Sequence, residues 1–338
     1  MTDDKITTVE LGDGGPQVGV QGLGCMGMSE FYGDTDEPSA RETLETALAA
    51  GVTLFDTADV YGLGANERFL APFVGAHRDE ITLATKFAIE RKEDDPHYRG
   101  VRNDPAYIRK AVEDSLRRLD TDVIDLYYMH RRNPAVPLAE SVGAMAELVR
   151  QGKVKQLGLS EVTGAELREA HAVHPIAALQ SEWSLFSRDV ERSAVPAAVE
   201  LGVTVVPYSP LGRGFLTGAF TDAAKELSEG DFRQYQPRFT GDNARKNAAL
   251  LEPVHKIAAA HGASAAQVAL AWVQQRAQVH GLTVVPIPGT RKSSRLLENV
   301  AATRLTLTDG ELAQLEPIAG QVAGDRYPDM SSTSAARE

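Results

Sequence analysis

Short apolar runs alternate with segments of helical periodicity along most of the chain. The runs are rich in β-branched residues and lack strict polar–apolar alternation, which is typical of strands buried on both faces. They occupy residues 21–24, 53–56, 81–85, 123–129, 154–159, 177–180, 203–206 and 283–286. Between them apolar positions recur at helical spacing, as at Ile108, Val112 and Leu116. The dipeptide Asp104-Pro105 before this stripe marks a helix start.

Eight predicted strands that alternate with helices favour an α/β fold with a closed (β/α)8 TIM barrel. The alternative is an open doubly wound sheet, which would carry a glycine fingerprint directly after its first strand. The glycines within residues 22–27 do not have that spacing. Before the barrel, residues 6–11 and 18–20 flank the turn sequence Asp13-Gly14-Gly15 and predict an N-terminal β-hairpin.

The second half of the chain predicts a large loop and an additional helix. A long polar segment at about 212–241 follows the seventh strand. Beyond Leu315 we expect a C-terminal extra helix and then a mobile tail at about 322–338. No linker rich in Pro, Ser or Gly divides the chain, so we expect a single barrel domain over residues 1–338.

Charge and composition exclude several classes of protein. A formal net charge of -12 argues against a general nucleic-acid binder. Cys25 is the only cysteine, so neither an internal disulfide nor a cysteine metal site can form, and we expect no metal; it is interpreted as a small buried filler. The polar N-terminus does not resemble a signal peptide, and no apolar run reaches the length of a membrane span. We therefore expect a cytoplasmic protein without membrane contact, and no pattern indicates an oligomeric state.

Four polar residues follow the predicted strands where barrel enzymes carry their active sites. Asp56, Lys86 and His130 come at the ends of the second, third and fourth apolar runs, and Tyr61 lies in the loop after Asp56. Each residue alone has a structural interpretation, as a turn former, a solvated charge or a satisfied loop histidine. Their common position at one rim of one barrel favours a shared catalytic site.

Together these side chains could donate a proton to the oxygen of a carbonyl group. A tyrosine hydroxyl, with an ordinary pKa of about 10, can protonate a carbonyl oxygen when a nearby cation stabilises the phenolate. Lys86 can supply that cation, Asp56 can hold Lys86 charged, and His130 can orient the carbonyl through a hydrogen bond. Such a site lacks a hydride source, so a nicotinamide cofactor is implied.

Two later segments are predicted to bind a phosphorylated dinucleotide. Residues 208–216 and 286–299 follow the seventh and eighth strands, the usual phosphate site of such barrels. Glycines allow backbone N–H groups to approach a pyrophosphate, and a helix start points free N–H groups at an anion. Arg291, Lys292 and Arg295 oppose the preference for acids at a helix N-terminus. The alternative is a solvated helix start; a ribose 2′-phosphate would resolve the conflict, so we predict NADPH/NADP+ rather than NADH.

These motifs together resemble the aldo-keto reductase superfamily. The most specific is Phe55-Asp56-Thr57-Ala58-x-x-Tyr61-Gly62, and Lys86 and Met129-His130-Arg131 agree with it. The resemblance extends from Gly22 to Asn299. Segments 31–33, 180–182 and 184–188 are similar to the bacterial and plant branch that includes pyridoxal-reductase-like and auxin-induced-type enzymes.

The resemblance implies a role for each matching residue. Tyr61 would be the proton donor, with Lys86 and Asp56 tuning its acidity and His130 binding the carbonyl. The nicotinamide carboxamide would lie near Ser160, Glu161 and Gln180, although an ionised Glu161 can only accept hydrogen bonds. Tyr208 would stack under the ring, Arg295 would lie nearest the 2′-phosphate, and Glu298 and Asn299 would reach the adenine. The full predicted set of cofactor contacts is Gly24, Met26, Asp56, Ser160, Gln180, Tyr208, Ser209, Pro210, Leu211, Gly212, Arg213, Gly214, Leu216, Pro288, Gly289, Thr290, Arg291, Arg295, Glu298 and Asn299.

The predicted function is NADPH-dependent reduction of an aldehyde or ketone to an alcohol. Expected substrate contacts are Phe31, Tyr61, Phe87 and His130, and the aromatic rings suit a hydrophobic or aromatic small-molecule aldehyde. Two alternatives stay open. Lys86 could form a Schiff base, as in barrel aldolases, or the chain could be a regulatory subunit that senses nicotinamide and turns over slowly.

Overall fold

A parallel β-barrel surrounded by helices forms the body of the protein. The computed structural model describes residues 5–30, 36–92, 94–95, 98–220, 227 and 231–338. In chain order its strands are β1 (Thr8–Glu10), β2 (Gln17–Gly19), β3 (Leu23–Gly24), β4 (Leu54–Asp56), β5 (Thr82–Phe87), β6 (Ile89–Glu90), β7 (Gly100–Val101), β8 (Ile124–Met129), β9 (Val154–Ser160), β10 (Ala178–Glu182) and β11 (Thr204–Tyr208). Within the described residues, one seven-stranded parallel sheet has the order β11-β10-β9-β8-β5-β4-β3. The predicted α/β barrel is confirmed.

Amphipathic helices cover the outside of the sheet. In chain order they are α1 (Glu37–Ala49), α2 (Ala65–His77), α3 (Pro105–Leu119), α4 (Leu138–Arg150), α5 (Gly164–Val173), α6 (Ala194–Leu201), α7 (Gly241–Ala249), α8 (Glu252–His261), α9 (Ala265–His280), α10 (Ser293–Ala301) and α11 (Asp309–Leu315). Helix α3 begins as the sequence predicts, since the Asp104 side chain accepts a hydrogen bond from the Tyr107 N–H at 3.0 Å. Its apolar stripe, including Ile108 and Val112, is buried in the core between helices and barrel.

The predicted eighth strand is the one part of the barrel that needs correction. Residues 283–286 form no regular strand; the isolated bridges Val205–Val284 and Gly24–Gly289 close the barrel there. The N–H groups of Val285 and Ile287 donate to β11 at 2.9 and 3.0 Å. Pro286 and Pro288 have no N–H to donate, so a continuous ladder cannot form along this segment.

The predicted N-terminal hairpin is confirmed and closes the bottom of the barrel. Strands β1 and β2 pair antiparallel, with Val9 opposite Val18. Leu11 and Val18 are fully buried against inward-facing barrel side chains. The Gly12 N–H donates to the Thr204 hydroxyl at 2.9 Å, and a Cβ at Gly12, whose φ is +72°, would lie 2.7 Å from the Ala177 Cβ. The opposite rim, at the carboxyl ends of the strands, carries the candidate site.

The large loop and the tail both contain local structure. Of the loop predicted at 212–241, short 3₁₀ turns occupy Gly212–Thr217, Phe232–Tyr235 and Pro237–Phe239, whereas 221–226 and 228–230 lie outside the described residues. Beyond Leu315, where the extra helix was expected, the described residues form only the short 3₁₀ turns Ala319–Gln321 and Ser334–Ala336. The last α-helix, α11, ends at Leu315, and Pro317 has no N–H with which to continue it. The tail, expected to be mobile, lies against the carboxyl rim of the barrel with Arg326 buried. Among the described helices, none has the length and apolar character needed to cross a membrane.

Candidate active site

The four predicted catalytic side chains converge at the carboxyl rim. Asp56 is the last residue of β4, Lys86 lies near the end of β5, and His130 directly follows β8. Tyr61 begins the 3₁₀ turn Tyr61–Gly64. The rings of Tyr61 and His130 meet edge to face, with centroids 5.9 Å apart. The neighbouring order of β4, β5 and β8 in the sheet therefore brings together residues that are far apart in sequence.

Lys86 is the centre of this cluster and is completely buried. Its Nζ forms an ion pair with Asp56, donates to the Thr57 carbonyl oxygen at 2.7 Å and lies 3.4 Å from the Tyr61 hydroxyl. The second Asp56 oxygen accepts a hydrogen bond from Gln180 Nε2 at 2.9 Å. Burial lowers the pKa of Lys86 and raises that of Asp56, and their mutual contact opposes both changes.

The strand alternation around Lys86 corrects one predicted substrate contact. Lys86 points into the site, so its neighbours Thr85 and Phe87 point to the opposite face of β5. The Thr85 hydroxyl donates to Glu67 at 2.7 Å, and Phe87 is fully buried in the outer core, stacked on Tyr127 with centroids 5.1 Å apart. Phe87 is therefore a core residue in this structure. Phe31, another expected substrate contact, lies outside the described residues.

The electrostatic surroundings hold Tyr61 as a phenol and His130 as a neutral imidazole. Burial raises the pKa of Tyr61 well above its usual value; Asp56 raises it further and the Arg131 guanidinium lowers it. Burial, and then the positive charges of Arg131 and Lys86, hold the pKa of His130 well below its usual range. A protonated hydroxyl and a neutral imidazole, both potential hydrogen-bond donors, are thus available beside a buried cation.

A hydrogen-bonded scaffold fixes the turn that carries Tyr61. The Thr57 hydroxyl donates to Asn66 Oδ1 at 2.6 Å, and Asn66 Nδ2 donates to the Cys25 carbonyl oxygen at 2.9 Å. Cys25 is buried, and burial raises the pKa of its thiol, which fits the filler interpretation. Met26, a predicted cofactor contact, packs against the apolar cluster that contains Tyr61.

The segment after β11 forms a tight, glycine-rich turn. Gly212, Arg213 and Gly214 all have positive φ, at 55°, 59° and 90°. The Gly212 and Gly214 N–H groups donate to the carbonyl oxygens of Ser209 and Leu211 at 2.8 and 3.0 Å. Ser209 also has a positive φ, 48°. Pro210 and Gly212 are buried, and Leu211 packs partly against the core. Leu216 is wholly buried in the core, so its side chain holds the loop in place and only its backbone could face a ligand.

The second predicted phosphate segment begins helix α10 without a side-chain cap. At Lys292, which precedes α10, no side-chain cap is formed. The same holds for α1, α2, α4, α6, α7 and α8, whereas α3, α5, α9 and α11 have capping side chains. The first N–H groups of a helix lack intrahelical acceptors, and the helix dipole favours an anion there. Arg291 and Arg295 flank this end, and Arg295 is exposed. Uncapped N–H groups beside cations are a donor set that fits a phosphate.

Other predicted cofactor residues have structural partners at the barrel closure. Gly24 pairs with Gly289, and a Cβ at Gly24 would lie 3.0 Å from the Ile287 carbonyl oxygen. Pro288 is buried beside them, and the Thr290 hydroxyl accepts a hydrogen bond from the Lys292 N–H at 3.2 Å. On α10, the backbone oxygen of Glu298 accepts from Gln267 at 3.1 Å, and Asn299 is buried. These contacts fix the segment at 286–299 against β3 and α9.

The residues expected near a nicotinamide carboxamide are occupied by partners within the protein. Ser160 Oγ accepts a hydrogen bond from Arg131 Nη1 at 3.2 Å, and Gln180 binds Asp56. Glu161, fully buried, binds the Arg326 guanidinium at 2.9 and 3.1 Å. The Tyr208 hydroxyl donates to Glu161 at 2.9 Å. The carboxylate of Glu161 thus serves the tail rather than an amide ligand.

Sequence reasoning missed Arg131, Arg326 and Tyr327 as parts of this site. Arg131 is buried beside His130, with its guanidinium 6.0 Å from the Tyr208 ring centroid. Tyr327 lies 3.3 Å from Tyr208, hydroxyl to hydroxyl. A usable signal existed: Arg326-Tyr327 is a bulky pair within a tail otherwise made mainly of small and polar residues.

The ion pair of Glu161 predicts a loss of stability in acid. Burial by itself would raise the pKa of Glu161, but Arg326, and then Arg131, lower it to about 2 from 4.5. Because the folded-state value is depressed, the stabilisation is complete above about pH 4.5 and is lost as pH falls towards 2. The pKa difference corresponds to roughly 3 kcal/mol of the free energy of unfolding. We expect Glu161→Gln to flatten this fall in urea unfolding measured from neutral pH to about pH 3; an unchanged pH dependence would contradict the assignment.

The fold and the rim cluster define a class of protein: a parallel α/β barrel that holds a buried phenol, a lysine–aspartate ion pair and an imidazole at its carboxyl rim. Comparison with known proteins agrees. The sequence profile described as "Aldo/keto reductase family" matches residues 22–319. Probable aldo-keto reductase 1 of Glycine max is 43% identical over 333 residues, covering 97% of this chain and 93% of that protein.

Solved structures give the same result. The glycerol dehydrogenase AKR11B4 from Gluconobacter oxydans has a TM-score of 0.81 and 27% identity, covering 97% of this chain and 99% of the other. The aldo-keto reductase AKR11C1 from Bacillus halodurans, in its holo form, has a TM-score of 0.70 and 26% identity, covering 96% and 100%. The chain therefore belongs to the aldo/keto reductase family, oxidoreductases that act on small carbonyl compounds and generally use nicotinamide cofactors.

Proposed function

We propose that this protein reduces an aldehyde or ketone to an alcohol with NADPH, with Tyr61 as the proton donor. The observation that carries the proposal is the buried cluster in which Lys86 Nζ lies 3.4 Å from the Tyr61 hydroxyl and is ion-paired with Asp56. A buried cation beside a phenol stabilises the phenolate that remains after proton transfer. The neutral His130 alongside can donate a hydrogen bond to the same carbonyl oxygen.

Each residue of the cluster has its own role in the proposed reaction. When bound, the nicotinamide cofactor supplies the hydride. Tyr61 gives its hydroxyl proton to the carbonyl oxygen, so that one hydride and one proton convert the carbonyl to an alcohol. Lys86 stabilises the resulting phenolate, while Asp56 and the Thr57 carbonyl oxygen hold the ammonium in place. Proton uptake from solvent restores the phenol.

The contacts of Lys86 favour reduction over Schiff-base chemistry. An ammonium group has three N–H donors, and Lys86 Nζ has acceptors within reach at Asp56, Thr57 and Tyr61. A Schiff base needs a neutral amine with free access to a carbonyl carbon. The buried ion pair with Asp56 favours the charged amine instead.

Two features support NADPH as the cofactor. The glycine-rich loop at Gly212–Gly214 follows β11, and loops after the last strands of such barrels are the usual site for phosphate. Helix α10 begins without a side-chain cap next to Arg291, Lys292 and Arg295, and such an end fits the 2′-phosphate that distinguishes NADPH from NADH. Arg295 is exposed at this end of the helix, so its side chain can contact a ligand without any rearrangement of buried residues.

The direct test follows NADPH absorbance with a panel of aldehydes, ketones and pyridoxal. We expect consumption of NADPH that depends on the carbonyl compound, and hydrophobic or aromatic aldehydes are the first candidates. Tight NADPH binding without turnover across the whole panel would instead favour a regulatory subunit that senses the cofactor.

Arg295→Ala should weaken NADPH binding selectively. Hydrogen bonds to charged groups contribute about 1.5–3 kcal/mol, so we expect the Kd for NADPH to rise about 10- to 100-fold while that for NADH stays nearly constant. Fluorescence titration with both dinucleotides measures the two constants. Arg245→Ala, which removes an exposed arginine on α7, is the control and should change neither. Equal loss for both dinucleotides would reject the 2′-phosphate assignment.

A further inference from the structure

Glu161 is a buried acceptor that gathers donors from distant parts of the chain. It directly follows β9, has a positive φ of 51° and is fully buried. Its carboxylate accepts from Arg326 at 2.9 and 3.1 Å, from Tyr208 at 2.9 Å and from the Glu182 N–H at 3.1 Å. The Ser334 N–H adds a further contact at 3.2 Å. Most of these donors belong either to the tail or to the end of β11.

The tail is held to the rim by buried charges rather than by surface contacts. Arg326 is only 2% exposed and also binds Asp189 at 2.9 Å. Further along, Arg337 donates to the Glu161 backbone oxygen at 2.6 Å and binds Glu166. Buried charges need their partners, because leaving one uncompensated costs several kcal/mol. The tail therefore has a defined docked position.

The docked tail also braces the loop predicted to bind the pyrophosphate. Arg213, in that loop, donates to the Arg326 carbonyl oxygen at 2.6 Å. Its guanidinium lies 4.4 Å from the centroid of the Tyr327 ring. The Tyr327 hydroxyl lies 3.3 Å from that of Tyr208, the residue expected under the nicotinamide. The same two side chains, Tyr208 and Arg213, therefore connect the tail with both halves of the cofactor site.

We propose that Glu161 and Arg326 are positioning residues that dock the C-terminal tail, and that tail docking and NADPH binding strengthen each other. The tail fixes Tyr208 and Arg213 in one arrangement, so less conformational freedom is lost when the cofactor binds. This coupling is reciprocal: a ligand that prefers the docked state must stabilise it by the same free energy. The inference rests on the proposed use of NADPH.

Limited proteolysis of the wild-type protein tests this reciprocity. Trypsin cleaves after arginine, and the bond between Arg326 and Tyr327 is reachable only when the tail leaves the rim, since Arg326 is buried. Mass spectrometry follows release of the peptide that begins at Tyr327. Saturating NADPH should slow this cleavage at least about fivefold, the lower end of typical coupling energies. An unchanged rate at saturation would overturn the proposal.

Variants of the tail test the same coupling through their affinity for NADPH. Arg326→Gln should raise the Kd for NADPH at least about fivefold and raise KM for NADPH more than it lowers kcat. Glu161→Gln keeps the tryptic site at Arg326 but removes the charge that holds it, so it should also speed tail release. Arg326→Lys should recover part of the affinity. The control is Arg168→Gln, which breaks an exposed ion pair with Glu200 and should leave all these values unchanged. Wild-type affinity for NADPH in a Glu161→Gln protein whose tail is cleaved rapidly would overturn the proposal.

The outcomes separate this inference from the proposed function. If the wild-type protein binds no NADPH, the cofactor assignment itself fails. If it binds and oxidises NADPH, but the tail is neither protected by NADPH nor needed for affinity, only the positioning role fails. If Arg326→Gln does not fold, the protection experiment on the wild-type chain still decides.

Discussion

Tyr61→Phe is expected to lower kcat/KM about 10²- to 10⁴-fold while NADPH still binds. The substitution removes the hydroxyl that lies 3.4 Å from Lys86 Nζ and keeps the ring that packs edge to face on His130. Burial raises the pKa of this hydroxyl and keeps it protonated, so it is the proton source that the variant lacks. Steady-state kinetics and a parallel fluorescence titration of NADPH measure the two effects.

Tyr127→Phe is the matched control for this prediction. Tyr127 is fully buried, and its hydroxyl finds no hydrogen-bond partner among the described residues. Both variants therefore delete a buried phenol oxygen, but only Tyr61 lies in the rim cluster. Full activity of Tyr61→Phe would reject the mechanism, and equal loss in both variants would point to damage of the fold.

Lys86→Met is expected to abolish turnover and also to destabilise the protein by about 3–5 kcal/mol. The methionine leaves the Asp56 carboxylate, which is 3% exposed, without its cation. Hydrogen bonding from Gln180 compensates only in part. Urea unfolding at neutral pH measures the loss of stability, and the carbonyl panel measures the loss of activity.

The double variant Asp56→Asn/Lys86→Met separates the two losses. A neutral asparagine removes the stranded charge, so stability should recover partly while activity stays absent. A single Lys86→Met variant as stable as the wild type would show that Asp56 is already protonated in the folded protein. That result would remove Asp56 from the proposed support of the ammonium.

The barrel was predictable because burial on both faces leaves a direct mark on the sequence. The run at 123–129 corresponds closely to β8, Ile124–Met129, and the start of α3 follows from Asp104-Pro105. The eighth apolar run, residues 283–286, has a similar composition, but it does not form a continuous ladder of backbone hydrogen bonds. Apolarity reports burial, whereas Pro286 and Pro288 decide whether a ladder can form.

Three of the four rim residues were predictable because each stands at the end of an apolar run. Asp56, Lys86 and His130 have that position, and the sheet brings them together. Phe87 shows the limit: it directly follows Lys86, and alternation along β5 turns it to the opposite face. Because side chains alternate along a strand, the inward position of Lys86 would have predicted that Phe87 points outward.

The bulky pair Arg326-Tyr327 stands out in the tail, but its docked position could not be predicted because its partners lie far away in the sequence. Small and polar residues near a chain end are usually mobile, and this composition dominates residues 322–338. The acidic residues that hold the tail are Glu161 directly after β9, Glu182 at the end of β10 and Asp189 in the segment that follows β10. No local pattern reports that pairing.

The proline-interrupted closure of the barrel has a consequence for how the chain folds. Gly24 and Gly289 meet there, one near the start of the chain and the other near its end. During synthesis, the outer edge of β3 is covered only after almost the whole polypeptide has been made. Contacts between such distant residues close long loops and form slowly. Until residues 284–289 reach it, β3 has an unpaired edge that can pair with other chains. Closure of the barrel late in synthesis therefore removes a site at which the unfinished protein can aggregate.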